Sequence, residues 1–364
     1  MRTYRVAIIG TGRMAGFIDD ELPDGDPLKP HSHLGAYRAV GRTEVVAVAN
    51  RGKERLERFK ERFGVERTYL DYRDMIERER PEIVSVTTPS LARAEPIVFA
   101  AEHGVRGVWA EKGLCASLAE ADRVAAAVRD NGVVFNWGTS RRNHVGYQAL
   151  QGAISAGSIG EPRFASVYFF TDLIKHHPHT IDVAAMLLGD PEPSWVEGRL
   201  VQPDDALQPD QRFPQPTYDP AGRRYVPPPG REIGDPWAAF FRVGYTNGAE
   251  AYFIPRRGPF EVEVHGTDGV ASAREGAGEF RTRRQRNGGA EVEQLVFRSV
   301  GESPSVRKVR DLVAGMDTGA NTAANIDITM RTVEVQFAVA HSHLSGGART
   351  AVPVTDRDLY IPGG

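Results

Sequence analysis

Tyr4-Arg5-Val6-Ala7-Ile8-Ile9-Gly10-Thr11-Gly12-Arg13-Met14-Ala15 reads as a strand, a glycine turn and the opening of a helix. Each small residue has its own task. Gly10 permits the tight turn, Gly12 lets the backbone approach a pyrophosphate, and Ala15 permits close contact between helix and strand. The helix N-terminus then offers free N–H groups and a partial positive charge to that pyrophosphate. A bare G-x-G-x-x-A is a weak signal, but directly after the first strand it becomes a dinucleotide-binding turn. Gly10, Thr11, Gly12, Arg13 and Met14 are therefore the first candidate cofactor contacts.

Downstream, short apolar strands alternate with helical patterns. Strands are expected at Tyr4–Ile9, Glu44–Asn50, Ile83–Thr88, Val108–Glu111 and Val133–Trp137, and helices at Lys53–Phe63, Tyr72–Arg78, Ala92–His103 and Ser117–Asn131. Ser117 with Glu120 three residues on forms a capping box. Such alternation implies βαβ units and a parallel sheet. After Gly160 the texture changes. Arg163–Phe170 reads as a strand, Pro178–Leu188 as a helix, and Glu261–Val264 and Glu291–Phe297 as further strands. Trp237–Tyr245 and Ala249–Ile254 flank Asn247-Gly248, which predicts a type I′ hairpin. Strands following strands argue for an antiparallel sheet. Ala324–Leu344 carries apolar residues at gaps of three and four, a helix with one buried face.

The fold class is thus α/β: an N-terminal Rossmann dinucleotide-binding domain over 1–138, then an α+β domain with an open, mainly antiparallel sheet over 139–364. Two stretches interrupt this plan. Asp19–His33, acidic and rich in Pro and Gly, breaks what should be one helix, and Pro203–Asp235 holds eight prolines and reads as a long loop.

Composition narrows the function. The 364 residues are 41% hydrophobic and 26% charged, with a net charge of −3. Nothing there favours nucleic acid or a membrane surface as a partner. The densest basic patch, Arg281–Arg286, reads as a solvated hairpin flank. No apolar run is long enough to span a bilayer, and no secretory leader is visible. Cys115 is the single cysteine. It excludes an internal disulfide and fits a cytoplasmic protein.

The ribose-reading residue belongs at the end of the second strand. An Asp or Glu there binds the 2′-hydroxyl and repels a 2′-phosphate. This chain has Asn50 and then Arg51, which removes the repulsion and adds a guanidinium suited to phosphate. NADP or NAD is the expected cofactor, with NADP favoured.

Further residues complete a pattern: Thr88-Pro89-Ser90, Ala110-Glu111-Lys112-Gly113, Gly138-Thr139-Ser140-Arg141-Arg142, Gly157-Ser158-Ile159-Gly160-Glu161-Pro162, and His179-Thr180-Ile181-Asp182 opening a helix that ends Leu187-Leu188-Gly189-Asp190. Together they resemble the Gfo/Idh/MocA oxidoreductases. The resemblance implies reversible hydride transfer between nicotinamide and a carbon of a sugar or cyclitol. It also implies a homo-dimer or homo-tetramer built through the C-terminal sheet. By the same resemblance Thr88, Pro89 and Glu111 contact cofactor, Lys112 sits between nicotinamide and substrate, and His179 is the general acid/base. There are departures. Gly113 replaces a usual proline, and Lys175 replaces an Asp four residues before the histidine; Asp172 lies three residues earlier still.

The residue chemistry agrees. Oxidising an alcohol needs a base for the hydroxyl proton, and histidine titrates near neutrality. Pro178 sets His179 in a first helical turn, where the helix dipole disfavours imidazolium. Lys112 ends a strand, where open α/β sheets bind ligands, and can donate to the substrate hydroxyl. Asp182, one turn after His179, shares its face and is the third catalytic candidate. Arg141, Asp172 and Lys175 are candidate substrate contacts, Lys175 for an anionic substrate such as a uronate. His176, His177 and His179 suggest a metal, but Pro178 interrupts the run and hydride transfer needs none, so no metal is expected. Trp137 and Tyr168 are candidate platforms for a sugar face. The alternatives are a redox-neutral glycoside-cleaving enzyme working by transient oxidation with bound NAD, and a non-catalytic cofactor-sensing regulator.

Overall fold

The computed structural model describes residues 2–201, 234–275, 278–286, 289–294 and 302–363. Nearly all of Pro203–Asp235 and the end of the expected strand Glu291–Phe297 lie outside them.

The first sheet is built from β1 (Tyr4–Ile9), β2 (Thr43–Ala49), β3 (Thr68–Tyr69), β4 (Ile83–Val86), β5 (Gly107–Ala110) and β6 (Val134–Trp137). All pairings are parallel, in the order β3-β2-β1-β4-β5-β6. Parallel strands are covered on both faces, and accordingly Val6, Ala7 and Ile8 are all fully buried. The strand order reverses between β1 and β4, which opens a crevice at their carboxyl ends.

Between the strands lie α1 (Ile18–Glu21), α2 (His33–Ala39), α3 (Lys53–Phe63), α4 (Tyr72–Glu79), α5 (Ala94–Glu102) and α6 (Leu118–Asp130). The expected break in the first helix is present. A π turn over Arg13–Phe17 runs into α1, the chain leaves, and α2 begins at His33 with Ser32 capping the Gly35 N–H at 3.0 Å. Asp19 holds the excursion closed by accepting the N–H groups of His31 and Ser32 at 2.6 and 3.0 Å. In α6, Ser117 Oγ accepts from Glu120 N at 3.2 Å, and the Glu120 carboxylate returns to Ala116 N at 2.9 Å.

After α7 (Val145–Ser155) the chain enters the second sheet. It comprises β7 (Pro162–Tyr168), β8 (Pro193–Val201), β9 (Trp237–Tyr245), β10 (Glu250–Ile254), β11 (Glu261–Gly266), β12 (Gly269–Arg274), β13 (Glu279–Arg286), β14 (Gly289–Gln294) and β15 (Thr350–Ala351). The order is β14-β13-β12-β11-β7-β10-β9-β8-β15, antiparallel except where β7 meets β10. The helices α8 (His177–Leu187), α9 (Pro304–Thr318) and α10 (Ile326–Leu344) complete the chain. α10 packs on β8 and α8, whereas α9 returns to the first sheet. Its Val306, Val309, Leu312 and Val313 pack with Tyr4, Val6, Tyr37 and Trp109.

Two expectations are corrected and one is sharpened. The β9–β10 connection is not type I′, because only Gly248 has positive φ (83°). Gly248 N bonds Tyr245 O at 3.1 Å and Tyr245 N bonds Ala249 O at 3.0 Å, a type I turn followed by a left-handed glycine. Arg281–Arg286 does flank a hairpin, as the β13 strand paired antiparallel with β14 from Arg281↔Gln294 to Arg286↔Gly289. Phe280 and Thr282 are buried while Arg283 is exposed, so this part of the strand alternates. Trp137 is no sugar platform, since it is wholly buried in the core, and Tyr168 lies under the Arg256 guanidinium at 5.1 Å.

Candidate active site

A groove of about 560 Å³ runs along the carboxyl ends of β1, β2 and β4. Gly10 to Met14 line one end. Gly10 has φ +97°, and a Cβ there would lie 2.6 Å from Thr87 Oγ1, so only glycine fits this turn. Gly12 differs: a Cβ there would meet no protein atom within 4 Å. The space beside it is groove, which suits a ligand passing close to the backbone. The residues present therefore fit a dinucleotide.

Asn50 and Arg51 both line this end. Asn50 Nδ2 donates to Thr11 Oγ1 at 2.5 Å and its Oδ1 accepts from Gly52 N at 3.2 Å, so the amide ties the end of β2 to the glycine turn. Arg55 and Arg73, not anticipated from the sequence, line the same region. On the opposite wall are Thr88 and Pro89. Thr88 Oγ1 donates to Ala92 O at 2.9 Å.

The Glu111-Lys112-Gly113 turn closes the far end. Glu111 is 5% exposed, and its Oε1 lies 3.1 Å from His33 Nε2. Burial works to raise the Glu111 carboxyl, but the His33 hydrogen bond and the charges of Lys112 and Arg93 prevail and hold it well below the carboxylate range. Arg93 is buried and donates to the carbonyls of both Gly113 and Thr88, clamping the two loops together. Neither His33 nor Arg93 was anticipated. Burial pulls the Lys112 ammonium down, and the Glu111 charge opposes that.

The second sheet and α8 bring the remaining groups. His179 is neutral well below its usual pH, because of burial first and then the nearby charges of Arg141 and Lys112. Its Nδ1 is buried without a hydrogen-bond partner among the described residues. Burial, rather than the helix N-terminus, is thus the main cause. Lys175 lines the groove beside Lys112. Asp172 accepts from His176 Nδ1 at 2.7 Å, and Lys112 and Lys175 are among the charges acting on it. Arg141 pairs with Glu275 at 2.9 Å and lies over the Phe260 ring at 4.6 Å.

Asp182 is placed apart from the groove. It is fully buried, and its Oδ1 accepts from Arg142 Nε at 2.6 Å. Arg142 also reaches Asp190 at 2.6 and 2.9 Å. The helix spacing to His179 is as expected, but the partner is an arginine from another loop. His177 is also buried, with Nδ1 2.8 Å from Thr180 Oγ1. The three histidines therefore diverge, and among the described residues no cluster of three or more His, Cys, Asp or Glu is arranged to hold a metal ion.

A β3-β2-β1-β4-β5-β6 sheet, a glycine turn at its switch point and an open groove define a dinucleotide-binding α/β protein. Residues 4–139 match the profile of the GFO/IDH/MocA oxidoreductase family, described as an NAD-binding Rossmann fold. Over those residues the chain is similar to that family. Among curated proteins it is 28% identical over 176 residues to D-apiose dehydrogenase of Paraburkholderia graminis, covering 44% of this chain and 47% of that one. The chain matches about half the length of such relatives. Among solved structures, levoglucosan dehydrogenase in complex with NADH and levoglucosan matches with TM-score 0.75 at 17% identity, over 97% of this chain and 100% of that one. An oxidoreductase from Agrobacterium radiobacter in complex with NAD+, L-tartaric acid and magnesium matches with TM-score 0.72 at 16% identity, over 96% and 98%. The likeness of fold therefore extends over both sheets.

Proposed function

We propose that the protein is an NAD(P)-dependent oxidoreductase acting on a hydroxyl-bearing carbon of a sugar, cyclitol or sugar acid. The observation that carries this reading is that Lys112 lines the groove end remote from the dinucleotide turn and lies near enough to His179 for its charge to act on the imidazole. When bound, the nicotinamide supplies a hydride acceptor. The chain's own residues do the rest. Lys112 donates to the substrate oxygen and stabilises its developing negative charge. His179, held neutral by burial, accepts the hydroxyl proton. As the alcohol becomes a carbonyl, its hydroxyl proton would pass to the imidazole. Glu111, fixed by His33, orients the Lys112 turn and the adjoining ribose. Asp182 holds Arg142 in a buried pair that supports the fold behind the site rather than the chemistry.

NADP is the proposed preference. Asn50 leaves no carboxylate at the end of β2, and Arg51, Arg55 and Arg73 line that part of the groove. The proposed division is 1–138 for the cofactor domain and 139–364 for the substrate domain, with α9 lent back to the first sheet. Trp237 and Phe240 are 46% and 42% exposed on β9. They support assembly of a homo-dimer or homo-tetramer through the second sheet. The single buried thiol, Cys115, fits a reducing cytoplasm. Among the described residues no helix is long and apolar enough to cross a membrane.

The test is turnover with a sugar, cyclitol and sugar-acid panel and each oxidised nucleotide, followed by the near-ultraviolet absorbance of reduced nicotinamide. Reduced cofactor accumulates if the reading holds. Product without reduced cofactor would instead indicate the redox-neutral cleavage.

A further inference from the structure

Gly113 and Lys175 are joined through one residue, Ile174. A Cβ built on Gly113 would lie 2.7 Å from both the carbonyl oxygen and Cγ2 of Ile174. The oxygen belongs to the backbone, so it cannot swing aside as the end of a side chain does. Only glycine at 113 lets the Leu173–Lys175 segment lie this low over the Lys112 turn.

The segment is held there from several sides. Gln336 Nε2 donates to Leu173 O at 2.7 Å. Asp235 accepts the N–H groups of Ile174 and Lys175 at 2.8 and 3.2 Å. Gly363 packs against Ile174 so tightly that a Cβ there would lie 2.6 Å from Cγ2. The backbone of Lys175 is thus placed by three separate elements, and the residue forms part of the groove wall.

The charges around it are unevenly matched. Glu111 is engaged by His33, Asp172 by His176, and Arg141 by Glu275. The Lys175 ammonium has no hydrogen bond or ion pair among the described residues, and it shares the groove with Lys112. Lys175 is exposed to the groove, with Asp172 and Asp235 the carboxylates whose charges reach it, and an anionic ligand group there would gain a charge-assisted bond that a neutral polyol would not.

We propose that Lys175 is a carboxylate-binding residue, so that the preferred substrate is a sugar acid, a uronate or aldonate whose reacting hydroxyl lies on Lys112. This rests on the oxidoreductase reading and sharpens its substrate class.

The experiment is calorimetry on cofactor-saturated protein with matched pairs: glucuronate against glucose, galacturonate against galactose, and gluconate against sorbitol. Cofactor binding is titrated first, separately. At least one acid is expected to bind about tenfold tighter than its neutral partner, the range of one hydrogen bond to a charged group. Lys175→Gln is expected to abolish that preference. Gly113→Ala, which drives the segment off the turn, is expected to reduce it. Equal binding of acid and neutral partners, or an acid preference that survives Lys175→Gln, overturns the proposal. So does the absence of any acid binding when the cofactor binds normally. Failure of cofactor binding itself would instead sink the oxidoreductase reading.

Discussion

His33 Nε2 and Glu111 Oε1 lie 3.1 Å apart, with side-chain exposures of 0% and 7%. Their chemistry sets the direction of the bond. An ionised carboxylate only accepts, so Nε2 carries the proton and donates. Nδ1 must then accept, and its neighbour is the Ser85 hydroxyl. The ring also stacks on Trp109 at 3.5 Å. The residue that ends the Asp19–His33 excursion therefore fixes the turn carrying Lys112.

His33→Ala would leave the Glu111 carboxylate buried without its donor and open a cavity against Trp109. A loss of about 2–4 kcal/mol is expected. A merely structural role would stop there. The positioning role also predicts that, at a temperature where the variant is folded, kcat falls more than cofactor affinity does. His33→Gln, which can still donate to Glu111, should recover part of kcat. Denaturant unfolding and steady-state kinetics on both variants supply the check.

Arg142 and Asp182 are expected to matter for stability rather than chemistry. Arg142 Nε to Asp182 Oδ1 is 2.6 Å, with side-chain exposures of 5% and 0%. Replacing one partner of a buried pair costs about 3–5 kcal/mol, because the other charge is left uncompensated. Arg142→Met should therefore unfold at markedly lower denaturant. Asp182→Asn keeps the shape and a hydrogen bond, and should lose less. If Asp182→Asn instead abolished turnover in fully folded protein, Asp182 would belong to the catalytic machinery after all.

Acid should weaken the fold in a defined window. His177 is 1% exposed, and burial lowers it to about 3, with His179 and His33 also depressed by burial. Above the unfolded value, about 6.5, both states are neutral and there is no contribution. Below it the unfolded chain takes up protons that the folded chain refuses. Stability then falls as pH falls, by about 1.4 kcal/mol per pH unit for each such histidine, until the folded pKa is reached. Urea unfolding between pH 7 and 5 measures the slope. His177→Gln should flatten it by one proton's worth.

These outcomes depend on contacts that differ in how far they were legible beforehand. Five of the six strands of the first sheet announce themselves because strands buried on both faces must be continuously apolar, as in Val6–Ile9, whereas the two-residue β3 is too short to carry such a run. The glycine turn is local and carries its own signal. Lys112 and Lys175 fall on the groove because each is fixed by a short segment next to a motif. The rest is long-range. His33 meets Glu111 across 78 residues and sits at the end of a stretch that reads as loop. Arg93 binds backbone carbonyls, which have no sequence signature. Asp182 does point along its helix as the spacing requires, yet spacing within one helix is silent about an arginine from another loop. Arg281–Arg286 concealed a strand because its buried position, Thr282, is polar.

Cofactor choice offers the sharpest comparison within one site. Asn50 Nδ2 donates to Thr11 Oγ1, and Arg51, Arg55 and Arg73 share that part of the groove. A 2′-phosphate placed there meets guanidinium groups and no carboxylate at the end of β2; Asp71, which also lines the groove, is paired with Arg73 at 3.7 Å. Asn50→Asp would restore the carboxylate, which accepts from a ribose 2′-hydroxyl and repels the phosphate. The substitution is nearly isosteric, and where Asn50 now donates to Thr11 Oγ1 an Asp can accept from that hydroxyl instead, so folding should survive. NADPH affinity is expected to fall at least tenfold relative to NADH, a shift of about 1.4 kcal/mol in their difference. Arg51→Ala should weaken NADPH with little effect on NADH, because only the phosphate requires that charge. Fluorescence titration of both reduced nucleotides against the three proteins gives the ratios. A wild-type protein that prefers NADH, or an Arg51→Ala variant that weakens both nucleotides equally, would mean that Arg51 does not read the phosphate.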